Sequence, residues 1–199
     1  MSDWEALTLA AMLGYASGAV SPAALIARAR GIDLRGSGSG NPGATNAGRV
    51  MGRRVGYLVG LLDVLKGLLP ALVAGAWLGA SAALVAGVAA VLGHCTSPWL
   101  HGRGGKGVAT SFGAILGVAP LWALGAFAAF LVVLALTRWV ALASAASAVV
   151  LAVIAAVATW AGSDPREGQR LAWALAFGGI VLYRHRANFI GRWRARSTG

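Results

Sequence analysis

Long apolar stretches alternate with short polar loops along the whole chain. Ala6–Ala27, Val55–Trp77, Ser81–Leu100 and Trp139–Ala161 are each long enough to cross a hydrocarbon core, which takes about 20 residues as helix. Only Asp63 and Lys66 interrupt them with charge. Leu171–Tyr183 is shorter and relies on Arg170 and Arg184 extending their charged heads to the interface. Gly107–Thr137 is long for one crossing and short for two, with a turn signal at Gly117–Pro120. The pattern predicts an all-α integral membrane protein, one domain over residues 1–199, with no room for a soluble domain.

Charge decides the number of crossings. If Gly107–Thr137 turns and crosses twice, fourteen of the 17 basic residues share one face. Arg166 and Arg170 then lie opposite, beside Asp164 and Glu167. Cytoplasmic loops are enriched in Lys and Arg, so this arrangement is the expected one. It gives a seven-helix transmembrane bundle with the N-terminus outside and the C-terminus in the cytoplasm. The first stretch opens with Asp3 and Glu5 where a signal peptide carries basic residues, and reads as a retained helix.

Composition agrees: 58% of the 199 residues are hydrophobic and 12% charged, with mean hydropathy +0.72. A soluble domain has about a quarter of its residues charged. The net charge of +11 follows from membrane loops and argues for no nucleic-acid partner. Cys95 stands alone, which excludes an internal disulfide and a cysteine metal site.

Two glycine-rich basic loops carry the candidate chemistry. The first runs from Arg35 to Arg49 and holds Ser37, Ser39, Asn41, Thr45 and Asn46 among Gly36, Gly38, Gly40 and Gly43. Such loops are expected to turn backbone N–H groups and hydroxyls toward phosphate, with Arg49 adding charge. Pro42 and the two Asn exceed what a flexible tether needs.

The second loop, Gly102–Gly107, contains Arg103, Gly104, Gly105 and Lys106. It is no Walker A motif, since Leu100 and Gly107 stand where that motif needs Gly and Ser or Thr. It is still expected to hold phosphate at a helix N-terminus. Asp63 and Lys66 share a helix face and, as ionisable residues within a span, are expected to be functional, Lys66 toward the site and Asp63 orienting it. His94 precedes the second loop, and Tyr183-Arg-His-Arg-Ala-Asn188 adds His185 and Asn188 on the same face. Three polar clusters are thus expected to converge at the cytoplasmic side. No nucleophile–base pair is evident, so the expected reaction transfers an already activated group without a covalent enzyme intermediate.

These residues resemble the bacterial membrane glycerol-3-phosphate acyltransferases that use acyl-phosphate donors, the PlsY family. The likeness covers nearly the full length. It includes Gly18-Ala-Val-Ser-Pro22, Gly38-Ser-Gly-Asn-Pro-Gly-Ala-Thr-Asn46 with Arg49, and Asp63-Val-Leu-Lys-Gly67. It continues through Gly93-His94, Gly104-Gly-Lys-Gly-Val-Ala-Thr110, and Arg184-His185 with Asn188. The chain departs from the family pattern at Gly102, where Phe is usual, at Pro98, one place late, and at Ala195–Ser197, in place of Gly-x-Glu.

The resemblance implies a seven-helix fold in the bacterial cytoplasmic membrane, with the site facing the cytoplasm. It implies transfer of a fatty acyl group from acyl phosphate to the 1-hydroxyl of sn-glycerol 3-phosphate. The products are 1-acylglycerol 3-phosphate and phosphate, at the start of phospholipid synthesis. Ser39, Arg49, Lys106, His94 and Asn188 are the implied catalytic set. Ser37, Gly40, Asn41, Thr45, Asn46, Lys66, Gly104, Gly105 and His185 are the implied phosphate-binding set. No cofactor and no metal is expected, and the partners are the two substrates, membrane lipid and, as a candidate, a soluble acyl-phosphate-producing enzyme. The rival readings are a phosphate-ester transporter, disfavoured because no second copy of the first loop is found, and a non-catalytic lipid-binding relative.

Overall fold

The computed structural model describes residues 1–162 and 166–197. Asp164, the side chains of Arg166 and Glu167, and those at 195–197 lie outside the described residues. The regular elements of the described residues are all helical: α1 (Asp3–Ala19), α2 (Pro22–Ala29), α3 (Ala44–Met51), α4 (Arg53–Leu78), α5 (Ala80–Thr96), α6 (Val108–Val118), α7 (Pro120–Thr137), α8 (Val140–Ala161) and α9 (Arg166–Ser197). One 3-10 turn, Pro98–Leu100, separates α5 from the second glycine loop. The chain forms two compact units, Met1–Val118 and Ala119–Gly199.

Among the described residues, five helical stretches are long and apolar enough to cross a membrane: Asp3–Ala29, Arg53–Leu78, Ala80–Leu100, Pro120–Thr137 and Val140–Ala161. Many of their large side chains point outward, Trp77 at 84% and Trp160 at 89% exposure, while Ala dominates the interior. That inversion suits a lipid solvent, in which close backbone packing of small residues holds helices together. Gly14 and Gly18 of α1 sit directly on the Ala86 and Ala90 carbonyls of α5. Gly113 of α6 and Gly67 of α4 meet the Val64 and Thr110 carbonyls in the same way. A methyl group at any of these four would separate the helices.

The first apolar stretch is not one helix. It breaks at Val20-Ser21, because Pro22 disfavours helical backbone in the residue before it and brings no N–H. Ser21 then caps α2 by accepting from the Ala24 N–H at 3.3 Å. Gly107–Thr137 divides where its turn signal predicts, at Ala119, with Pro120 opening α7. The piece before the break, α6, has 11 residues. It rises about 16 Å at 1.5 Å per residue, roughly half of a 30 Å hydrocarbon core.

In the second unit, Leu171–Tyr183 forms the middle of the 32-residue α9. Within it Trp173 and Phe177 meet edge to face at 4.6 Å. Near the start of α8, Trp139 takes Phe189 edge-on at 5.2 Å and the Arg192 guanidinium over its ring at 4.4 Å. These contacts hold the basic end of α9 against α8.

Candidate active site

The first loop is organised around a buried amide. Asn46, on the inner face of α3, accepts from the Ser39 N–H at 2.7 Å and donates to the Ser37 and Leu34 carbonyls at 3.1 and 3.3 Å. Asp33 starts the loop by accepting from the Arg35 and Gly36 N–H groups, both at 3.0 Å. Gly40 turns back on this framework with φ +66°, and a Cβ there would stand 2.8 Å from the Arg35 carbonyl. Only glycine combines that backbone with that approach.

These bonds change the expected role of the loop backbone. The Ser39 N–H is held by Asn46, Gly40 donates to the Ser37 carbonyl at 3.1 Å, and Gly43 donates to the Asn41 carbonyl at 2.9 Å. These three amides therefore bond within the loop itself. Ser39, Thr45 and Arg49 are exposed, with Ser37 and Asn41 half-buried. Thr45 and Arg49 lie four residues apart on α3, so their exposed side chains are neighbours on the helix surface.

The second loop is bound to the end of α5. Gly104 donates to the Cys95 carbonyl and Gly105 to the His94 carbonyl, each at 3.0 Å. Those carbonyls sit at a helix C-terminus, where the ladder leaves them without partners. The Gly104 and Gly105 amides thus cap the end of α5. Glycine is required for contact: a Cβ on Gly104 would overlap the His94 carbonyl, and one on Gly105 would overlap its imidazole. The capped loop delivers half-buried Lys106 to the start of α6, where helix polarity favours an anion.

Behind both loops lies a buried polar cluster. Asp63 Oδ1 is 3.1 Å from Lys66 Nζ and 3.6 Å from His94 Nδ1. Lys66 also donates to the Val20 carbonyl at 2.7 Å, at the break between α1 and α2. Ser97 donates to the adjacent Ala19 carbonyl at 2.6 Å. The expected face-sharing of Asp63 and Lys66 is present, but the ammonium is directed at the helix break. Ser17 completes the cluster by donating to the Lys66 carbonyl at 3.0 Å. That carbonyl would ordinarily accept from residue 70, which is a proline with no N–H to give.

Ser17 and Ser97 did not stand out in the sequence, and Arg35 was read only as the start of the first loop. Pro70, four residues after Lys66, was the signal that the Lys66 carbonyl needs an outside donor. Arg35 joins the loops, its Nη2 donating to the Leu100 and Arg103 carbonyls at 3.1 and 2.8 Å. Of the C-terminal pair, His185 is buried on α9 with Nδ1 2.9 Å from the Val181 carbonyl, and Asn188 is exposed. A proton on Nδ1 there makes Nε2 the acceptor of the neutral ring.

A family model described as glycerol-3-phosphate acyltransferase matches residues 8–195. A glycerol-3-phosphate acyltransferase of Geobacter sulfurreducens is 42% identical over 178 residues, 88% of each chain. One of Pseudomonas aeruginosa is 43% identical, over 94% of this chain and 97% of the relative. The fold also matches crystal structures of the integral membrane glycerol 3-phosphate acyltransferase PlsY. Its glycerol 3-phosphate form aligns with TM-score 0.87 at 35% identity, covering 96% of this chain and 93% of the other. Its lysophosphatidic acid form aligns with TM-score 0.84 at 34% identity and the same coverage.

Proposed function

The chain belongs to the glycerol-3-phosphate acyltransferase family, and we propose that it draws its acyl group from acyl phosphate, at a site on the cytoplasmic face of a bacterial cell membrane. The observation that carries the reading is the pair of cation-bearing loops in the first unit. Arg49 rises from one and Lys106 from the other, and Arg35 bonds the two loops together. Two such loops suit two phosphorylated substrates.

An acyl phosphate is a mixed anhydride and is activated before it arrives. The 1-hydroxyl of glycerol 3-phosphate attacks the acyl carbon, the new ester C–O bond forms, and the C–O bond to phosphate breaks. The hydroxyl proton is balanced on the departing hydrogen phosphate. The protein has to bring two anions together and neutralise charge as it develops. Arg49 and Lys106 supply that charge. Ser37, Ser39, Asn41 and Thr45 supply hydrogen bonds, and the Asn46, Gly40, Gly104 and Gly105 bonds hold the loops in shape. His185 and Asn188 are assigned to the same reaction on the resemblance alone.

The proposed topology is seven crossings, N-terminus outside and C-terminus in the cytoplasm. Its support is the positive-inside distribution of arginines and the observed break before Pro120. Cysteine labelling at Ser37 and Arg103, in a Cys95→Ala background, should report the cytoplasmic side for both.

The deciding experiment gives purified protein acyl phosphate and radiolabelled glycerol 3-phosphate. Labelled 1-acylglycerol 3-phosphate with equimolar phosphate release is the expected result. Absence of product with acyl phosphate, beside turnover with an acyl thioester, would overturn the donor assignment.

A further inference from the structure

We propose that Arg35 is a positioning residue that sets the separation between the two substrate-binding loops. The inference rests on the acyltransferase reading of those loops and adds a residue outside the set assigned to phosphate.

Arg35 is anchored at both ends. Its N–H is held by Asp33 Oδ1 at 3.0 Å, and its carbonyl lies under Gly40 at the turn leading to Asn41. Its Nη2 crosses 65 and 68 residues of sequence to the Leu100 and Arg103 carbonyls. The receiving turn is itself rigid, because Arg103 donates to the Leu100 carbonyl at 2.9 Å and Gly102 to the Ser97 carbonyl at 3.0 Å. Gly104, the next residue, is fastened to Cys95. Any shift of Arg35 is thus passed to a stiff segment that ends three residues before Lys106.

Joining carbonyls is a task for a guanidinium. Its planar fork offers several donors in fixed directions, and it never loses its charge. Both bonds leave the same Nη2, whose two N–H groups point in directions fixed by the guanidinium plane, whereas a lysine ammonium ends one bond nearer the backbone and rotates freely, so it does not hold both carbonyls at once. Charge alone is therefore insufficient, and this separates a positioning role from a purely electrostatic one. Misplacing reacting groups by about 1 Å can cost on the order of 100-fold in rate with binding intact.

The test compares Arg35→Ala and Arg35→Lys with the parent enzyme in detergent. Turnover, both KM values and the thermal midpoint are measured. Hydrogen–deuterium exchange of the peptide spanning residues 98–107 is followed alongside. Both variants should lose roughly 10- to 100-fold in kcat with each KM within about threefold and an unchanged midpoint. Exchange in residues 98–107 should rise in both.

Recovery of kcat in Arg35→Lys, or a rise confined to one KM, would make Arg35 a charge contact with substrate and overturn the proposal. Unchanged kcat and unchanged exchange would overturn it outright. Exchange reads the bridge without turnover. An inactive parent with a loosened 98–107 segment in the variants would contradict the acyltransferase reading alone.

Discussion

Lys66 and Val20 are joined by a 2.7 Å hydrogen bond between an ammonium and a main-chain carbonyl, 46 residues apart in sequence. The carbonyl is exposed by the break that Pro22 imposes, and the ammonium comes from the middle of a membrane helix. Asp63 supplies the counter-charge at 3.1 Å. The pair thereby closes a backbone gap that lipid cannot solvate.

Removing one member of this pair should be worse than removing both. Lys66→Met leaves the Asp63 carboxylate and the Val20 carbonyl buried without the ammonium, a loss of about 3–5 kcal/mol. Asp63→Asn with Lys66→Met should recover part of it. Thermal unfolding in detergent reads the comparison, and a single variant as stable as the parent would refute the clasp.

Ser17 and Pro70 make a second linked pair. Ser17→Ala should cost about 1–3 kcal/mol by leaving the Lys66 carbonyl unsatisfied. Adding Pro70→Ala restores a helical N–H to that carbonyl, so the double variant should regain most of the loss. Purely additive effects would mean that the Ser17 hydroxyl is not substituting for the missing amide.

The sequence marks where the apolar helices lie because lipid allows few alternatives to apolar helix. It also marks the break before Pro120, since proline disfavours helical backbone in the residue ahead of it. The break at Val20-Ser21 was visible in the same code, but the uninterrupted apolar run Ala6–Ala27 masked it. The phosphate-type loops were legible from residue type. Their inner construction was not, because whether a glycine amide faces a ligand or a neighbouring carbonyl depends on tertiary contacts. Gly104, Gly105 and Asn46 illustrate this: each belongs to a candidate phosphate-binding segment, and each bonds to the protein's own backbone. Lys66 was legible as unusual, while its partner Val20 was hidden by 46 residues of separation.

Gly105→Ala should damage the second loop through volume alone. Its methyl group would overlap the His94 ring, and overpacking of this kind costs about 1–3 kcal/mol. His94→Ala in the same chain opens the space, so the double variant should be more stable than Gly105→Ala alone. Equal thermal midpoints for Gly105→Ala and the parent would show that the ring is not held against the loop.

The most direct measurement of the central claim is steady-state turnover of Lys106→Ala and Arg49→Ala with acyl phosphate and glycerol 3-phosphate. Each variant should lose one charge-assisted contact, worth about 2–4 kcal/mol of transition-state stabilisation or roughly 30- to 1,000-fold in rate. Inorganic phosphate should inhibit the parent competitively, and kinetics should follow a ternary complex. Parental rates in both variants at normal expression and stability, or a trapped acyl-enzyme in the parent, would contradict the account.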